Sequence, residues 1–207
     1  MKEGKLTRLK GYNYSQSGYY FVTICTKDTG EWFGSIEQES MNLSRYGKIA
    51  RDFWAGIPAH FENVGIDEFS VMPNHIHGIL IIEENRVGNA YMRSHQRNAF
   101  MHSLQDRTKM LLSKIIQQYK ASVTRKINSL EGGLHFGWQK SFYDHVIRND
   151  RSLDNLRQYI PNNPLKWELD IENRKGNSPH KNCVDYYGEI IGKKKEVGNA
   201  YMRSLHR

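Results

Sequence analysis

The segment Phe69-Ser70-Val71-Met72-Pro73-Asn74-His75-Ile76-His77-Gly78 constrains the fold more than any other stretch of this chain. Two apolar runs, Phe69 to Met72 and His75 to Ile82, are joined by a Pro-Asn pair. Proline presets the first central position of a turn, and asparagine accepts the positive φ that a type II turn needs at the second. The expectation is a β-hairpin. Side chains alternate across a strand, so His75 and His77 share one face of its second strand and Ile76 takes the other. Two imidazoles on one sheet face are candidate ligands for a divalent metal, and they equally suit a half-buried polar face with no metal at all.

Further elements follow from local patterns. Residues 19–26, YYFVTICT, are aromatic and β-branched and read as a strand that ends at Lys27-Asp28-Thr29-Gly30. Ile49, Phe53, Trp54 and Ile57 recur at near-helical spacing before Pro58. From Thr108 to Ile127 an apolar stripe of Met110, Leu111, Ile115, Ile116, Tyr119 and Val123 runs beside Lys109, Lys114, Lys120, Arg125 and Lys126. Residues 138–147 read as a strand, and Asn149-Asp150 as the cap of a helix through Leu153, Leu156 and Ile160. The order β, α, β, β, α, β, α points to an α+β fold, an antiparallel sheet with helices packed mainly on one face. From Trp167 onward the composition turns polar, and a fraying tail is expected there.

A chain of 207 residues suits one domain with excursions. Thirty Lys and Arg against 22 Asp and Glu leave a net charge of +8, which favours a polyanionic partner such as nucleic acid. Cys25 and Cys183 show no paired framework, no apolar run reaches membrane-spanning length, and Met1 to Lys5 open no hydrophobic signal core. A soluble, cytoplasmic protein without a membrane partner is expected. The octamer VGNAYMRS at residues 87–94 recurs letter for letter at residues 197–204. Two copies at no regular period are not folding units. They fit either a duplicated binding peptide or a repeated DNA element read through in frame.

Tyr159 and Asn163 lie four residues apart and would share a helix face. If that face covers the histidines, an Asn163 oxygen could complete an open site of two imidazoles and one amide, suited to Mg²⁺ or Mn²⁺. The Tyr159 phenol would then aim at a phosphate beside that site. A free phenol has a pKa of about 10, so a nearby cation or base must assist it at neutral pH. Tyr143, beside Asp144 and His145, is the rival nucleophile. Pro161, between Tyr159 and Asn163, should kink or stop the helix there. Arg8 and Lys10 next to Tyr12 combine cations with a stacking ring, as single-strand binding requires.

Residues 8–15 (RLKGYNYS), 20–26 (YFVTICT), 71–80 and 142–149 (FYDHVIRN) closely resemble the single-tyrosine HUH transposases, and in particular their REP-associated branch. The likeness covers most of residues 5–167. It implies a ferredoxin-like domain over residues 1–167, with residues 86–103 as a repeat-bearing connection and residues 168–207 as a polar tail holding the second repeat copy. It also implies a metal on His75 and His77, Tyr159 as nucleophile, and Asn163 as the polar ligand one helical turn beyond. Family members act on single-stranded DNA beside repeat hairpins, form a 5′-phosphotyrosine and leave a free 3′-hydroxyl. The expected activity is therefore DNA cleavage and rejoining without a nucleotide cofactor, with a homodimer left open. The competing readings are a domesticated, non-catalytic hairpin-binding protein and a metal phosphohydrolase acting through water.

Overall fold

The aromatic and β-branched run GYYFVTIC forms the central strand β1 (Gly18–Cys25), from which the rest of the sheet is assembled. The computed structural model describes residues 12–84, 110–130 and 135–192. After β1 come the short strands β2 (Gly34–Glu37) and β3 (Ser40–Leu43), helix α1 (Arg45–Ala55), and strands β4 (Val64–Val71) and β5 (His75–Ile82). Helix α2 (Leu111–Asn128), strand β6 (Tyr143–Ile147), helix α3 (Asp150–Asn162) and helix α4 (Cys183–Ile190) complete the order. The main sheet runs β4-β5-β1-β6 with every neighbouring pair antiparallel. Hence β1 is parallel to β4 across β5, and β5 is parallel to β6 across β1. Helices α1 and α2 lie in these two crossovers, so two split β-α-β units interlock in the ferredoxin-like manner. The expected α+β class is the observed one.

Alternation along the strands sorts the core into two layers. Tyr20, Val22, Ile24, Ile76 and Leu80 face Ala50 and Trp54 of α1 and the apolar stripe of α2. Phe21 and Ile79 face the other way, against Leu153, Leu156 and Ile160 of α3 and Tyr186 and Tyr187 of α4. The helices thus divide between both faces rather than gathering mainly on one. Gly78 follows the histidine pair because Trp54 fills the space beside it: a Cβ there would lie 2.2 Å from the indole Cζ2.

Several local expectations are corrected. The Pro73-Asn74 hairpin forms, but Asn74 is not among the residues of positive φ. Its side chain is instead spent on cross-links described below. Only Tyr143–Ile147 of the expected strand over residues 138–147 is regular; Trp138 keeps a single bridge to Thr26. The intervening carbonyls of Gln139 and Ser141 accept hydrogen bonds from Lys120 Nζ, each at 2.9 Å. Helix α3 continues one residue past Pro161 and then passes into a 3-10 segment, Pro164–Leu169. The chain beyond Trp167 does not fray at once: Asp170 is fully buried, and Tyr187 and Ile191 sit in the second core layer. No helix among the described residues is long and apolar enough to cross a membrane. Both octamers, Arg8 and Lys10 lie outside the described residues.

Candidate active site

His75 and His77 project from β5 into the α3/α4 layer, both with no exposed surface. Their Nε2 atoms are 2.8 Å apart. Asp170, from the turn after the 3-10 segment, places Oδ2 3.9 Å from His75 Nε2 and 3.7 Å from His77 Nε2. These three are the one group of His, Cys, Asp or Glu among the described residues whose ligand atoms converge closely enough to hold a metal ion. Asp170 carried no signal in the sequence, because it approaches the histidines only through the path taken after α3.

The outer nitrogens of the two rings are held differently. Asn74 Nδ2 donates to the carbonyls of Glu172 at 2.9 Å and Thr29 at 3.4 Å. Both partners only accept, so the amide orientation is set and Asn74 Oδ1 must accept from His75 Nδ1–H at 2.8 Å. That tautomer leaves the Nε2 lone pair of His75 pointing into the site. With a lone pair on His75 Nε2, the 2.8 Å contact between the rings requires His77 Nε2–H to donate to it, so Thr23 Oγ1 donates to His77 Nδ1 at 3.0 Å.

Burial, reinforced by the neighbouring His77, pushes the His75 imidazole down to about 3. Burial alone would lift Asp170, but His75 and His77 together with the hydrogen bond from the Glu172 amide hold it well below the ordinary carboxylate range. At neutral pH the site therefore presents an uncharged His75 and an ionised Asp170, a donor set of two nitrogens and a carboxylate. This set fits a divalent cation of the Mn²⁺, Mg²⁺ or Zn²⁺ kind.

Tyr159 reaches the same point from α3. Its Oη lies 3.1 Å from His77 Nε2 and donates to Asp170 Oδ2 at 3.3 Å. Burial, with Asp170 second, lifts this phenol well above its ordinary value. Asn163 remains helical in backbone conformation, so the four-residue spacing survives Pro161, and its Nδ2 donates to Tyr159 Oη at 3.1 Å. Asn163 Oδ1 is buried without a hydrogen-bond partner. Tyr143 lies on the same layer, yet its ring packs on Tyr187 at 4.5 Å and Phe21 at 6.2 Å rather than on the histidines. Tyr12 belongs to the opposite layer, packed edge-on against Tyr14 at 5.0 Å with its hydroxyl 3.5 Å from that of Tyr20. Trp167 covers His75, ring centroids 5.9 Å apart, and Tyr186 and Tyr187 close the side toward α4.

Fold and site together define a ferredoxin-like domain in which a buried histidine pair on a central strand meets a tyrosine carried by a helix. The chain is 37% identical over 163 residues to an uncharacterised protein of Haemophilus influenzae, covering 79% of this chain and 89% of that protein. It is 27% identical over 156 residues to a second protein of that organism, named "Putative REP-associated tyrosine transposase", covering 74% of each. The solved structure of a REP-associated tyrosine transposase bound to a REP hairpin aligns over 81% of this chain and 74% of that one, with 20% identity and a TM-score of 0.48. No protein-family model matches. The chain belongs to the REP-associated tyrosine transposase family, and its activity is of the transposase kind.

Proposed function

We propose that this protein cleaves and rejoins single-stranded DNA beside repeat hairpins, with Tyr159 as the nucleophile. The observation that carries the reading is the 3.1 Å approach of Tyr159 Oη to His77 Nε2, inside the His75, His77 and Asp170 group. A divalent cation, Mg²⁺ or Mn²⁺, held by these three residues would polarise a phosphate oxygen and offset its charge. The unpartnered Asn163 Oδ1 is the fourth donor available, while Asn163 Nδ2 holds the phenol in place.

In the reaction Tyr159 Oη forms a bond to phosphorus as the bond to the 3′ oxygen breaks, and the phenol proton ends on that oxygen. The phosphoester is conserved as a 5′-phosphotyrosine, so the 3′-hydroxyl can reverse the step on the same or another strand without a nucleotide cofactor. The net charge of +8 suits a polyanionic substrate. A DNA contact made by Tyr12 would lie away from the scissile phosphate, since Tyr12 packs on the opposite face of the sheet.

One observation favours the second reading, a hairpin-binding protein without catalysis: His75, His77, Asn163 and Asp170 are all fully buried. Labelled single-stranded hairpin DNA, incubated with the full chain and Mn²⁺ or Mg²⁺, separates the readings. Cleavage with an oligonucleotide attached to the peptide containing Tyr159, mapped by mass spectrometry, is the expected result. Tight binding without cleavage would select the binding protein, and cleavage without a tyrosine adduct would select a phosphohydrolase acting through water.

A further inference from the structure

The function proposed above gives no part to the octamer VGNAYMRS, which stands at residues 87–94 between β5 and α2 and again at residues 197–204 beyond α4. A partial third copy, RNAFMHSL at residues 97–104, follows the first. Copies at no structural period are not kept by packing against one another. The DNA that encodes them is the other level at which a repeat is kept.

The genetic code fixes most of that DNA. With Arg and Ser in their four-codon boxes, Gly88 to Ser94 is written GGN AAY GCN TAY ATG CGN TCN, where N is any base and Y a pyrimidine. The next codon opens with C for His95, and with C or T for Leu205 after the second copy. Folded about the last two bases of the Tyr codon, the arms are complementary wherever the code leaves no choice on either side. The T of Tyr faces the A of Met, the C of Ala the G of Met, and the G of Ala the C of Arg. Further out, the first A of Asn faces the T of Ser, and the first G of Gly faces the C that opens the next codon. The last base of Asn must be a pyrimidine, and it faces the G of Arg, which C pairs. Every remaining position has a free third base on one side, so the codon choice GGG AAC GCA TAY ATG CGT TCC C forms a stem without a mismatch. The partial copy departs as a stem permits. Phe100 in place of Tyr91 changes one base at the apex. His102 in place of Arg93 puts A where G faced the Asn codon, and Asn98 can answer with T while remaining asparagine. Arg97 and Leu104, in place of Gly88 and His95, exchange the outermost G·C pair for A·T.

We propose that the octamer is the in-frame translation of the DNA hairpin this protein recognises, so that its substrate lies inside its own coding sequence. The inference rests on the function proposed above and specifies the hairpin on which it acts: arms GGG AAC GCA T and A TGC GTT CCC, with the last two bases of the Tyr codon at the apex. A peptide kept for its own binding has no reason to obey these pairings. A hairpin kept for recognition has, because base edges carry the sequence information and phosphates only position the protein.

The test has two readouts. In the gene, codons 88–95 and 198–205 should carry third bases that complete the stem, and codons 97–104 should carry T at the end of the Asn98 codon. Arms that fail to pair at these third bases, where the peptide imposes nothing, overturn the proposal. In solution the full chain is titrated by fluorescence anisotropy with the single strand GGG AAC GCA TAC ATG CGT TCC C. The comparison strand encodes the same peptide with Arg and Ser drawn from their AGN codons, which cannot pair. The self-complementary strand should bind about tenfold or more tightly than the comparison strand, as mismatches in a recognised site cost at least that much. Equal binding overturns the octamer as the recognised hairpin and leaves the proposed function standing, since cleavage beside another hairpin is read separately by the Tyr159 adduct. Absence of that adduct on any hairpin DNA overturns the function itself.

Discussion

Asn74 links two parts of the site through one amide: its oxygen sets the tautomer of His75, and its nitrogen holds the Glu172 carbonyl beside Asp170. Outer hydrogen bonds of this kind tune metal affinity by about 10–100-fold. Asn74→Ala is expected to weaken Mn²⁺ binding by about that factor, measured by titration calorimetry, and Asn74→Asp to fall between it and the wild type because only the acceptor is kept. Equal affinities in all three would show that the amide positions nothing. A second expectation concerns acid. The His75 imidazole is pushed from 6.5 down to about 3 in the folded protein, so between these values the unfolded chain binds a proton that the folded chain does not. Stability contributed by this group is present above pH 6.5 and lost as pH falls toward 3, and the lowered Asp170 acts in the same direction below the ordinary carboxylate range. Urea unfolding of metal-free protein should show stability falling with acidity across this window, and a His75→Gln variant should show a flatter dependence. At this scale the histidine pair and the Tyr159–Asn163 spacing were legible, because both follow from the period of one element. Asp170 was not, because only tertiary folding carries it to the histidines.

Elements whose turns carry the usual residues could be read from the chain, and those whose turns do not could not. The hairpin of β2 and β3 turns through Gln38 and Glu39, with φ of 48° and 62°, a left-handed pair built without glycine or asparagine. No local signal marks it. Helix α4 does have one, the Asn182 cap with Asp185 three residues on, but it lies within a polar stretch that obscures it. Helix α3 runs through Pro161 to Asn162 instead of stopping at the proline, so Asn163 keeps its helical relation to Tyr159. The glycine of the histidine strand is a packing requirement between elements, since a Cβ on Gly78 would overlap Trp54 of α1. Gly78→Ala should destabilise the fold by about 1–3 kcal/mol or more, the usual cost of overpacking a core. Chemical denaturation is the check, and Trp54→Phe in the Gly78→Ala background should recover part of the loss. No recovery would place the strain in the strand backbone rather than between strand and helix.

At the scale of the whole molecule, two apolar layers share one sheet, and they were unequally legible. The layer under α1 and α2 is built from long, periodic segments. The layer under α3 and α4 is completed by Tyr186, Tyr187 and Ile191, which lie past the boundary expected at residue 167. Polar composition suggested a tail there because the few apolar residues that matter are spread between charged ones. Burying each such side chain is worth about 1.5–3 kcal/mol, so losing three approaches the total of about 5–15 kcal/mol that holds a domain folded. Truncation would also uncover Phe21, Leu156 and Ile160, all at 0% exposure in the intact layer. A chain ended at residue 167 is therefore expected to lose its cooperative thermal transition by scanning calorimetry. Without Asp170, any material that stays soluble should bind Mn²⁺ far more weakly than the full chain. A truncated protein that melts cooperatively near the full-length temperature, with affinity intact, would show instead that the sheet, α1, α2 and α3 suffice both for the fold and for the ligand set.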